Sequence, residues 1–328
     1  MGNAVEVEGL VKVFPGDVRA VDGIDLEVRG DEVFGFLGPN GAGKSTTIRI
    51  LTTLLLPTSG RARVAGFDVV EEAGRLRREV GVALQEAGLD VHATGRELLM
   101  LQARLHGMWG AEPRRRADDV LEIVGLAEAA DRRVGTYSGG MKRRLDLGSA
   151  LVHRPRVLFL DEPTTGLDPA SRHAIWDEVR RLNREDGIPV FLSTQYLEEA
   201  DRLVDRVAII DHGRLIAQGS PDELKASIGS DVVTVEVPED LAQAARAALG
   251  GLAGLREIKA DAAGLTLFVS DGSGAVAGTI RLLDDAAIPV GAVAVHRPSL
   301  DEVFLRATGA RLEGATLPPE REHEEARL

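Results

Sequence analysis

The sequence predicts an α/β fold, a mixed sheet covered by helices, followed by a smaller α+β domain. In the first 224 of 328 residues, short apolar strand patterns alternate with helical patterns, which is the order of such a sheet. After that point the composition changes, and strand, helix, strand, strand, helix and strand patterns follow, as in a ferredoxin-like domain. We therefore expect domains over 1–224 and 225–309. Prolines and many charges predict a disordered tail over 310–328.

The chain opens with an antiparallel β subdomain and then a buried strand. Residues 4–13 and 18–28 alternate apolar and polar positions, so they predict two antiparallel strands. Residues 32–37 are a short apolar run of the kind that forms a fully buried strand. Residues 45–56 follow a glycine-rich loop, and their apolar side chains fall on one helical stripe, formed by Ile48, Leu51, Leu54 and Leu55.

The loop between this strand and this helix has the spacing of a phosphate-binding loop. It fits G-x-x-x-x-G-K-[ST] from Gly38 to Ser45, in the strand–loop–helix context that the motif requires. Its glycines let backbone N–H groups face phosphate oxygens, and the helix adds its positive end. We expect Lys44 to reach the β- and γ-phosphates and Ser45 to ligate Mg²⁺. The candidate nucleotide-binding residues of the loop are Gly38, Pro39, Asn40, Gly41, Ala42, Gly43, Lys44, Ser45 and Thr46.

The rest of the first domain continues the alternation. Thr94 and Glu97 form a capping-box pattern at the start of a helical region over 94–134. His212-Gly213 is a hairpin signal between two strand patterns. The remaining predicted elements are strands over 61–65, 79–85, 156–160, 189–193, 207–210 and 214–218, and helices over 112–124 and 169–184. The second domain is predicted as strands over 232–237, 255–260, 265–269 and 289–296, with helices over 239–249 and 274–285.

Two carboxylates follow the buried strand over 156–160. Carboxylates at the end of a parallel strand lie where α/β proteins bind ligands. Asp161 would hold Mg²⁺ through its hydration shell, and Glu162 could orient or deprotonate an attacking water. The alternative is a pair of carboxylates that merely opens a loop.

Composition excludes several classes of protein. There are no cysteines, which rules out disulfides, thiolate metal sites and a cysteine nucleophile. The net charge of −13 argues against nonspecific binding to nucleic acid, and Arg114 to Arg116 are expected on a solvated helix face. No apolar run reaches the length of a membrane span, and the N-terminus has no signal-peptide pattern. If the protein works at a membrane, another chain is expected to supply the span.

The run Tyr137 to Lys142 identifies a resemblance. Its Ser138-Gly139-Gly140 core resembles the Leu-Ser-Gly-Gly-Gln signature of the ATP-binding cassette (ABC) ATPases, from which it departs at Tyr137 and Met141. Ser138 and the N–H groups of the two glycines, at a helix start, make an anion site. In that family the site closes on the γ-phosphate held by the other protomer. The resemblance covers residues 4–224.

The resemblance implies further site residues. Gln85 lies where the family's glutamine senses the nucleotide and Mg²⁺, and residues of about 86–150 fit its helical subdomain. Asp168, in Gly166-Leu167-Asp168, resembles the aspartate that links the two sites of a dimer. Phe14 lies where the family stacks an aromatic ring on adenine, although the residue also suits an ordinary core.

Gln195 stands where the family has a switch histidine. A neutral histidine offers one donor and can gain a charge, whereas glutamine offers two amide donors and no charge. We expect Gln195 to hydrogen-bond the γ-phosphate without titrating, with Glu162 as the base. The alternative is a degenerate, slow site.

Residues 298–309 indicate which type of ABC ATPase the chain resembles. They resemble a C-terminal motif of exporter ATPases of the daunorubicin/doxorubicin resistance type, which also often carry glutamine at the switch position. The resemblance implies a regulatory or dimer-stabilising role. An amphipathic helix that is capped by Ser299 and packs on its own domain is the alternative.

The expected function is the ATP-hydrolysing subunit of an ABC exporter of a drug or hydrophobic natural product. The resemblance implies ATP and Mg²⁺ as cofactors, a homodimer with two ATP sites, and a separate membrane permease that holds the chain at the cytoplasmic face of the membrane. A soluble ABC ATPase of DNA repair or translation is one alternative, although the single compact cassette and the acidic charge disfavour it. A nucleotide-sensing regulator without activity is another.

Overall fold

The computed structural model describes residues 2–85, 88–228, 231–261, 264–296 and 299–309, and it divides into two compact units between Pro221 and Asp222. The predicted tail over 310–328 lies outside the described residues. The expected boundaries of the two domains and of the helical subdomain stay predictions. Among the described residues, no helix combines the length and the apolar character that crossing a bilayer requires.

The first unit alternates strands and helices as expected. Its strands are β1 (Asn3–Phe14), β2 (Val18–Arg29), β3 (Val33–Leu37), β4 (Ser59–Val64), β5 (Phe67–Asp68), β6 (Val80–Ala83), β7 (Val157–Asp161), β8 (Val190–Thr194), β9 (Arg206–Asp211) and β10 (Arg214–Gly219). Its helices are α1 (Lys44–Leu51), α2 (Ala73–Leu76), α3 (Gly95–Leu105), α4 (Glu112–Ile123), α5 (Gly139–Leu151), α6 (Pro169–Arg184) and α7 (Leu197–Leu203), and α8 (Pro221–Ile228) spans the division. Short 3-10 turns lie at Ala127–Ala129 and Val134–Thr136.

Two sheets organise this unit. The predicted antiparallel subdomain is confirmed as a sheet of order β2-β1-β4-β5. The mixed sheet has the order β10-β9-β3-β8-β7-β6, parallel except where β10 pairs with β9. Phe191 of β8 packs against the rings of Phe34, Phe36 and Phe159, with centroids 5.5–5.6 Å apart. The carboxyl ends of the parallel strands therefore lie along one edge of the sheet. The segments that follow β3, β7 and β8 at this edge carry candidate site residues.

The helix after the phosphate loop is shorter than predicted. We expected it to run to residue 56, but α1 ends at Leu51 and Leu54 is 58% exposed. Thr53 takes a left-handed φ of 64°, and the N–H groups of Thr53 and Leu54 donate to the carbonyls of Ile50 and Arg49. These bonds form a Schellman cap, which usually has glycine where Thr53 stands. The sequence therefore lacked the residue that signals this helix end.

The helices between β6 and β7 share one apolar core. Thr94 and Glu97 form the predicted capping box at the start of α3. The core joins α3, α4 and the start of α5, with Leu99, Val120 and Leu145 fully buried. Tyr137, just before α5, is buried and donates its hydroxyl to the carbonyl of Ala129, 2.6 Å away. This contact gives the departure at Tyr137 a packing role.

The second unit has the predicted ferredoxin-like order. Its elements are β11 (Asp231–Val235), α9 (Ala242–Leu249), β12 (Leu255–Asp261), β13 (Gly264–Val269), α10 (Gly272–Asp285), β14 (Val293–His296) and α11 (Leu300–Thr308). The strands form an antiparallel sheet of order β12-β13-β11-β14. A 3-10 turn at Glu239–Leu241 begins the predicted helix, and β14 starts at Val293 rather than 289. Ser299 and Glu302 form a capping box on α11.

Candidate nucleotide-binding site

The loop from Gly38 to Thr46 joins β3 to α1 and requires glycine at two positions. Gly43 has a φ of 108°, and a Cβ there would lie 2.2 Å from the carbonyl oxygen of Ala20. A Cβ on Gly38 would lie 2.4 Å from the carbonyl oxygen of Ile210. Any larger residue would displace these backbones. The loop therefore has the close-packed, glycine-dependent shape of a phosphate cradle, with the start of α1 behind it.

Lys44 places a positive charge inside this cradle. Its Nζ donates to the carbonyls of Gly38 (2.7 Å) and Pro39 (3.0 Å), and it lies 3.3 Å from Oε1 of Glu162. Burial lowers the pKa of the ammonium group, while the nearby carboxylates of Glu162 and Asp161 act in the opposite direction. The ammonium group of Lys44 is thus held by two carbonyl oxygens of the loop, and phosphate oxygens can replace these acceptors.

Asp161, at the end of β7, accepts hydrogen bonds from two hydroxyl groups. Its Oδ1 accepts from Ser45 Oγ (3.1 Å) and from Ser193 Oγ (2.6 Å). Carboxylate and hydroxyl oxygens are hard donors of the kind that Mg²⁺ prefers, so this set fits the expected ion. Ser193, which joins β8 to this pair, was not predicted from the sequence. A serine at the end of the neighbouring parallel strand was the available signal.

Glu162 sits in a strained backbone position in this network. Its φ is 48°, and its N–H is shared between the hydroxyl and the carbonyl of Ser193, at 3.0 and 3.2 Å. Its Oε2 accepts from Gln85 Nε2 (3.4 Å) and from Thr165 Oγ1 (3.3 Å). Strain of this kind persists only where the surroundings impose it, which is common at functional sites. The structure therefore brings Gln85 to Glu162, and Thr165 is a second neighbour that the sequence did not reveal.

The signature residues form the start of α5. Ser138 is the N-cap, and its hydroxyl accepts from the N–H of Met141 (3.2 Å). Gly139 and Gly140 are the first helical residues, so their N–H groups have no partner within the helix. A Cβ on Gly140 would lie 2.5 Å from Ser171 Oγ, so the glycine allows α6 to approach.

Asp168 is the N-cap of α6. Its carboxylate accepts from the N–H (3.0 Å) and the hydroxyl (2.6 Å) of Ser171, and these bonds lower its pKa. Ser171 therefore hydrogen-bonds Asp168 and occupies the space that the missing side chain of Gly140 leaves open. The predicted residues fall into two groups, one around Lys44 and the carboxylates, the other around Ser171.

Phe14 and Gln195 belong to neither group through a hydrogen bond among the described residues. Phe14 ends β1 and is half-buried, with Lys12 Nζ 5.3 Å from the centre of its ring. Gln195 is also half-buried and lies at the centre of a turn in which the hydroxyl of Thr194 accepts from the N–H of Tyr196 (2.9 Å). The carbonyl of Thr194 accepts from the N–H of Gly38 (3.3 Å), so this turn begins beside the phosphate loop.

This arrangement can transfer a phosphoryl group to water. It combines a phosphate-binding loop, the buried cation of Lys44 and a hydroxyl–carboxylate set suited to Mg²⁺. A second carboxylate, that of Glu162, lies beside the cation and directly follows Asp161 of the Mg²⁺ set.

Comparison with known proteins agrees with this chemistry. The ABC transporter family profile matches residues 21–165, and a profile described as the C-terminal domain of DrrA1-3-like ATP-binding proteins matches residues 219–308. The daunorubicin resistance ATP-binding protein DrrA3 of Streptomyces coeruleorubidus is 48% identical over 93% of this chain and 96% of its own length. The doxorubicin resistance ATP-binding protein DrrA of Mycobacterium tuberculosis is 45% identical over 95% of this chain and 96% of its own length.

Solved structures extend the likeness to the fold. CbiO1 of Clostridium perfringens, part of an ABC transporter complex, has a TM-score of 0.64 at 29% identity, over 69% of this chain and 92% of its own. The cassette MJ0796, solved as a dimer in a post-hydrolysis state with ADP and Pi, has a TM-score of 0.60 at 25% identity, over 66% of this chain and 98% of its own. From its phosphate site, its sheet order and these relatives, the chain belongs to the ATP-binding proteins of ABC transporters, in the branch with a DrrA-like C-terminal domain, and it is an ATPase.

Proposed function

We propose that this chain energises the export of a drug or hydrophobic natural product through a separate integral-membrane permease. The observation that carries this proposal is the length of the match to proteins named for daunorubicin and doxorubicin resistance. It runs at 48% identity over 93% of the chain, and so includes both units. A cassette shared by all ABC transporters would account for the first unit alone.

Two copies of the chain would form the working ATPase. In each site Phe14 would stack on adenine, and the loop from Gly38 to Thr46 would bind the phosphates. Ser138, Gly139 and Gly140 of the second copy would close on the γ-phosphate, with Asp168 linking the two sites. The N-terminal position of these glycines in α5 supports this role, because helix starts bind anions. A relative of the same fold is described as a dimer.

Within each site the residues divide the work of hydrolysis. Glu162 would accept a proton from the attacking water, whose oxygen would bond to the γ-phosphorus. The bond from that phosphorus to the β–γ bridging oxygen would break, with ADP as the leaving group. Lys44 would leave its carbonyl acceptors for the phosphates, and the amide of Gln195 would donate to the γ-phosphate. Ser45, Gln85 and Asp161 would hold Mg²⁺, which neutralises phosphate charge when bound.

An exposed apolar surface supports a membrane partner. Leu101 and Leu105 lie one turn apart on α3 and are 56% and 72% exposed, and Trp109 beyond the helix is 76% exposed. Leu101 and Leu105 thus expose apolar area together on one face of α3, and contiguous exposed apolar area marks contacts with other proteins. We place the chain at the cytoplasmic face of the cell membrane, held there by the permease, and its charge of −13 disfavours nucleic acid as a partner.

The proposal is tested by drug accumulation in a sensitive host. The chain is expressed with a candidate permease from the neighbouring coding sequence, and intracellular daunorubicin and doxorubicin are measured. We expect accumulation to fall with the wild-type pair and to stay high with Glu162→Gln. Gln218→Ala, an exposed change in β10, is the control and should behave as wild type. Equal accumulation with the wild-type and Glu162→Gln chains, while the purified wild-type chain hydrolyses ATP, would remove export of these drugs and leave the ATPase intact.

A further inference from the structure

Arg143 of α5 binds backbone carbonyls on both sides of the catalytic carboxylates. It lies one turn after Gly139, and its side chain is 10% exposed. Its guanidinium donates to the carbonyls of Leu84 (2.6 Å), Asp161 (2.9 Å) and Pro163 (2.8 Å). These carbonyls come from the segment after β6, the end of β7 and the residue that follows Glu162.

The bonded carbonyls flank the residues that meet in the site. Leu84 directly precedes Gln85, and Asp161 and Pro163 enclose Glu162. The Gln85 amide and the Glu162 carboxylate are 3.4 Å apart, so one guanidinium fixes the backbone at both ends of this contact. Because Glu162 has a left-handed φ of 48°, its neighbours must be held if its side chain is to keep one direction.

The charge of this guanidinium is balanced on its own helix. Asp146, one turn further along α5, accepts from Nη1 at 3.0 Å and is 13% exposed. A buried cation is retained only where it is paired and hydrogen-bonded. A guanidinium offers five donors in one plane, whereas an ammonium is a compact point charge on a flexible stem. Lysine at this position could not bind three separated carbonyls and a carboxylate together.

We infer that Arg143 is a positioning residue for ATP hydrolysis. Its guanidinium binds backbone carbonyls and the carboxylate of Asp146. Through those carbonyls it holds Gln85 and Glu162 at their working distance and ties both to the helix that begins with the signature residues. Catalysis is sensitive to such placement, since a displacement of about 1 Å can cost about a hundredfold in rate. The inference rests on the ATPase activity and not on the transported molecule.

The test compares Arg143→Lys with Arg144→Lys in the purified full-length chain. Arg144 is a matched control, because it lies on the same helix and also donates to carbonyls, those of Val124 (3.3 Å) and Gly125 (3.2 Å), in the segment after α4. We expect Arg143→Lys to lower kcat at least about tenfold, with KM for ATP within about threefold. Arg144→Lys should leave kcat within about twofold of wild type. Assays run below the melting temperature of each variant.

Equal kcat values for the two lysine variants would overturn the inference. So would a raised KM with unchanged kcat, because that pattern reports substrate binding. If Arg143→Lys does not fold, Asp146→Asn decides, since it keeps the guanidinium and removes only the charge that orients it. We expect this variant to lower kcat about threefold or more at unchanged KM. A wild-type kcat in Asp146→Asn would then overturn the positioning role.

Discussion

Lys44 and Glu162 form a buried ion pair at the centre of the site. Their side chains are 4% and 5% exposed, and their charged atoms are 3.3 Å apart. Removing two charges from water costs more free energy than many such pairs return, so a pair of this kind is weak evidence for stability. The pair matters for catalysis instead, because the ammonium group and the carboxylate stay partnered with each other until a phosphate binds.

Gln195 permits a prediction at the same scale. Gln195→Ala removes the amide expected to donate to the γ-phosphate, and we expect kcat to fall about tenfold. Gln195→His should recover turnover with an added pH dependence near the histidine pKa of about 6.5, because only the imidazole titrates there. The measurement is kcat against pH for the wild type and both variants.

Gln218→Ala serves as the control for this series, since Gln218 is an exposed glutamine on β10. Wild-type turnover in Gln195→Ala would show that the residue takes no part in hydrolysis. A flat profile in an active Gln195→His variant would show that position 195 lies out of reach of the reacting group.

At the scale of elements, α5 and α6 meet at Gly140 and Ser171. We predict that Gly140→Ala displaces Ser171, because its Cβ would lie 2.5 Å from Ser171 Oγ and 3.0 Å from Ser171 Cβ. The displacement would loosen the cap that Asp168 provides to α6 and lower the free energy of unfolding by about 1–3 kcal/mol. Gly139→Ala is the matched control, since the nearest atom to its Cβ is 3.9 Å away. Equal denaturant midpoints for the two variants would contradict the close approach.

A second prediction concerns His153, which stacks on His106, the residue after the end of α3, with ring centres 3.9 Å apart. Its Nε2 bonds the carbonyl of Val80 at 2.9 Å, which ties the segment after α5 to β6. Burial, assisted by His106, lowers the pKa of His153 to about 4. A depressed histidine pKa means that the unfolded chain binds the proton first, so stability is full above pH 6.5 and falls toward pH 4.

His153→Gln should weaken this pH dependence. Between about pH 7 and pH 4, we expect the free energy of unfolding of the wild type to fall by about 1–2 kcal/mol more than that of the variant. This figure is already reduced for solvent screening, because the His153 ring is only partly buried. Unfolding is followed by tryptophan fluorescence, because the chain has two tryptophans, Trp109 and Trp176, and both lie in the first unit. Parallel stability curves for wild type and variant would contradict the assigned pKa.

The sequence predicted most elements because periodicity and capping residues are local signals. The capping box at Thr94 and the hairpin at His212-Gly213 each depend on residues within one turn, and both appear in the structure. The end of α1 was missed because Thr53 takes a conformation that glycine usually supplies. Ser193 and Arg143 were missed for another reason: the residues in and beside the site that they hydrogen-bond lie 18 to 59 residues away, and only the fold brings them together.

At the scale of the whole molecule, the proposed homodimer makes each site depend on two chains. Lys44→Met disables the phosphate loop, and Ser138→Asp places a carboxylate where a phosphate is expected while keeping a residue that caps helices well. In a mixed dimer one site carries both changes and the other carries neither. We expect mixed dimers to regain roughly half of the wild-type turnover, because two-fold symmetry leaves one site complete.

Mixed dimers can be isolated by expressing the two variants with different tags and purifying on both. Each variant alone is the control and should be inactive. A mixed dimer no more active than its parents would contradict a site shared between chains, whereas activity in the Ser138→Asp dimer alone would remove Ser138 from the site.

The strand order of the mixed sheet also has a consequence for folding during translation. The phosphate loop follows β3, which begins at Val33, and the strands on either side of β3 are β8 and β9, which begin much later in the chain, at Val190 and Arg206. At a translation rate of about 5–20 residues per second, β3 leaves the ribosome roughly 8 to 35 seconds before these two neighbours. During that interval the loop lacks the strands that shape it. We therefore expect products of premature termination before β8 to lack both strands that pair with β3 and so to lack a shaped phosphate loop.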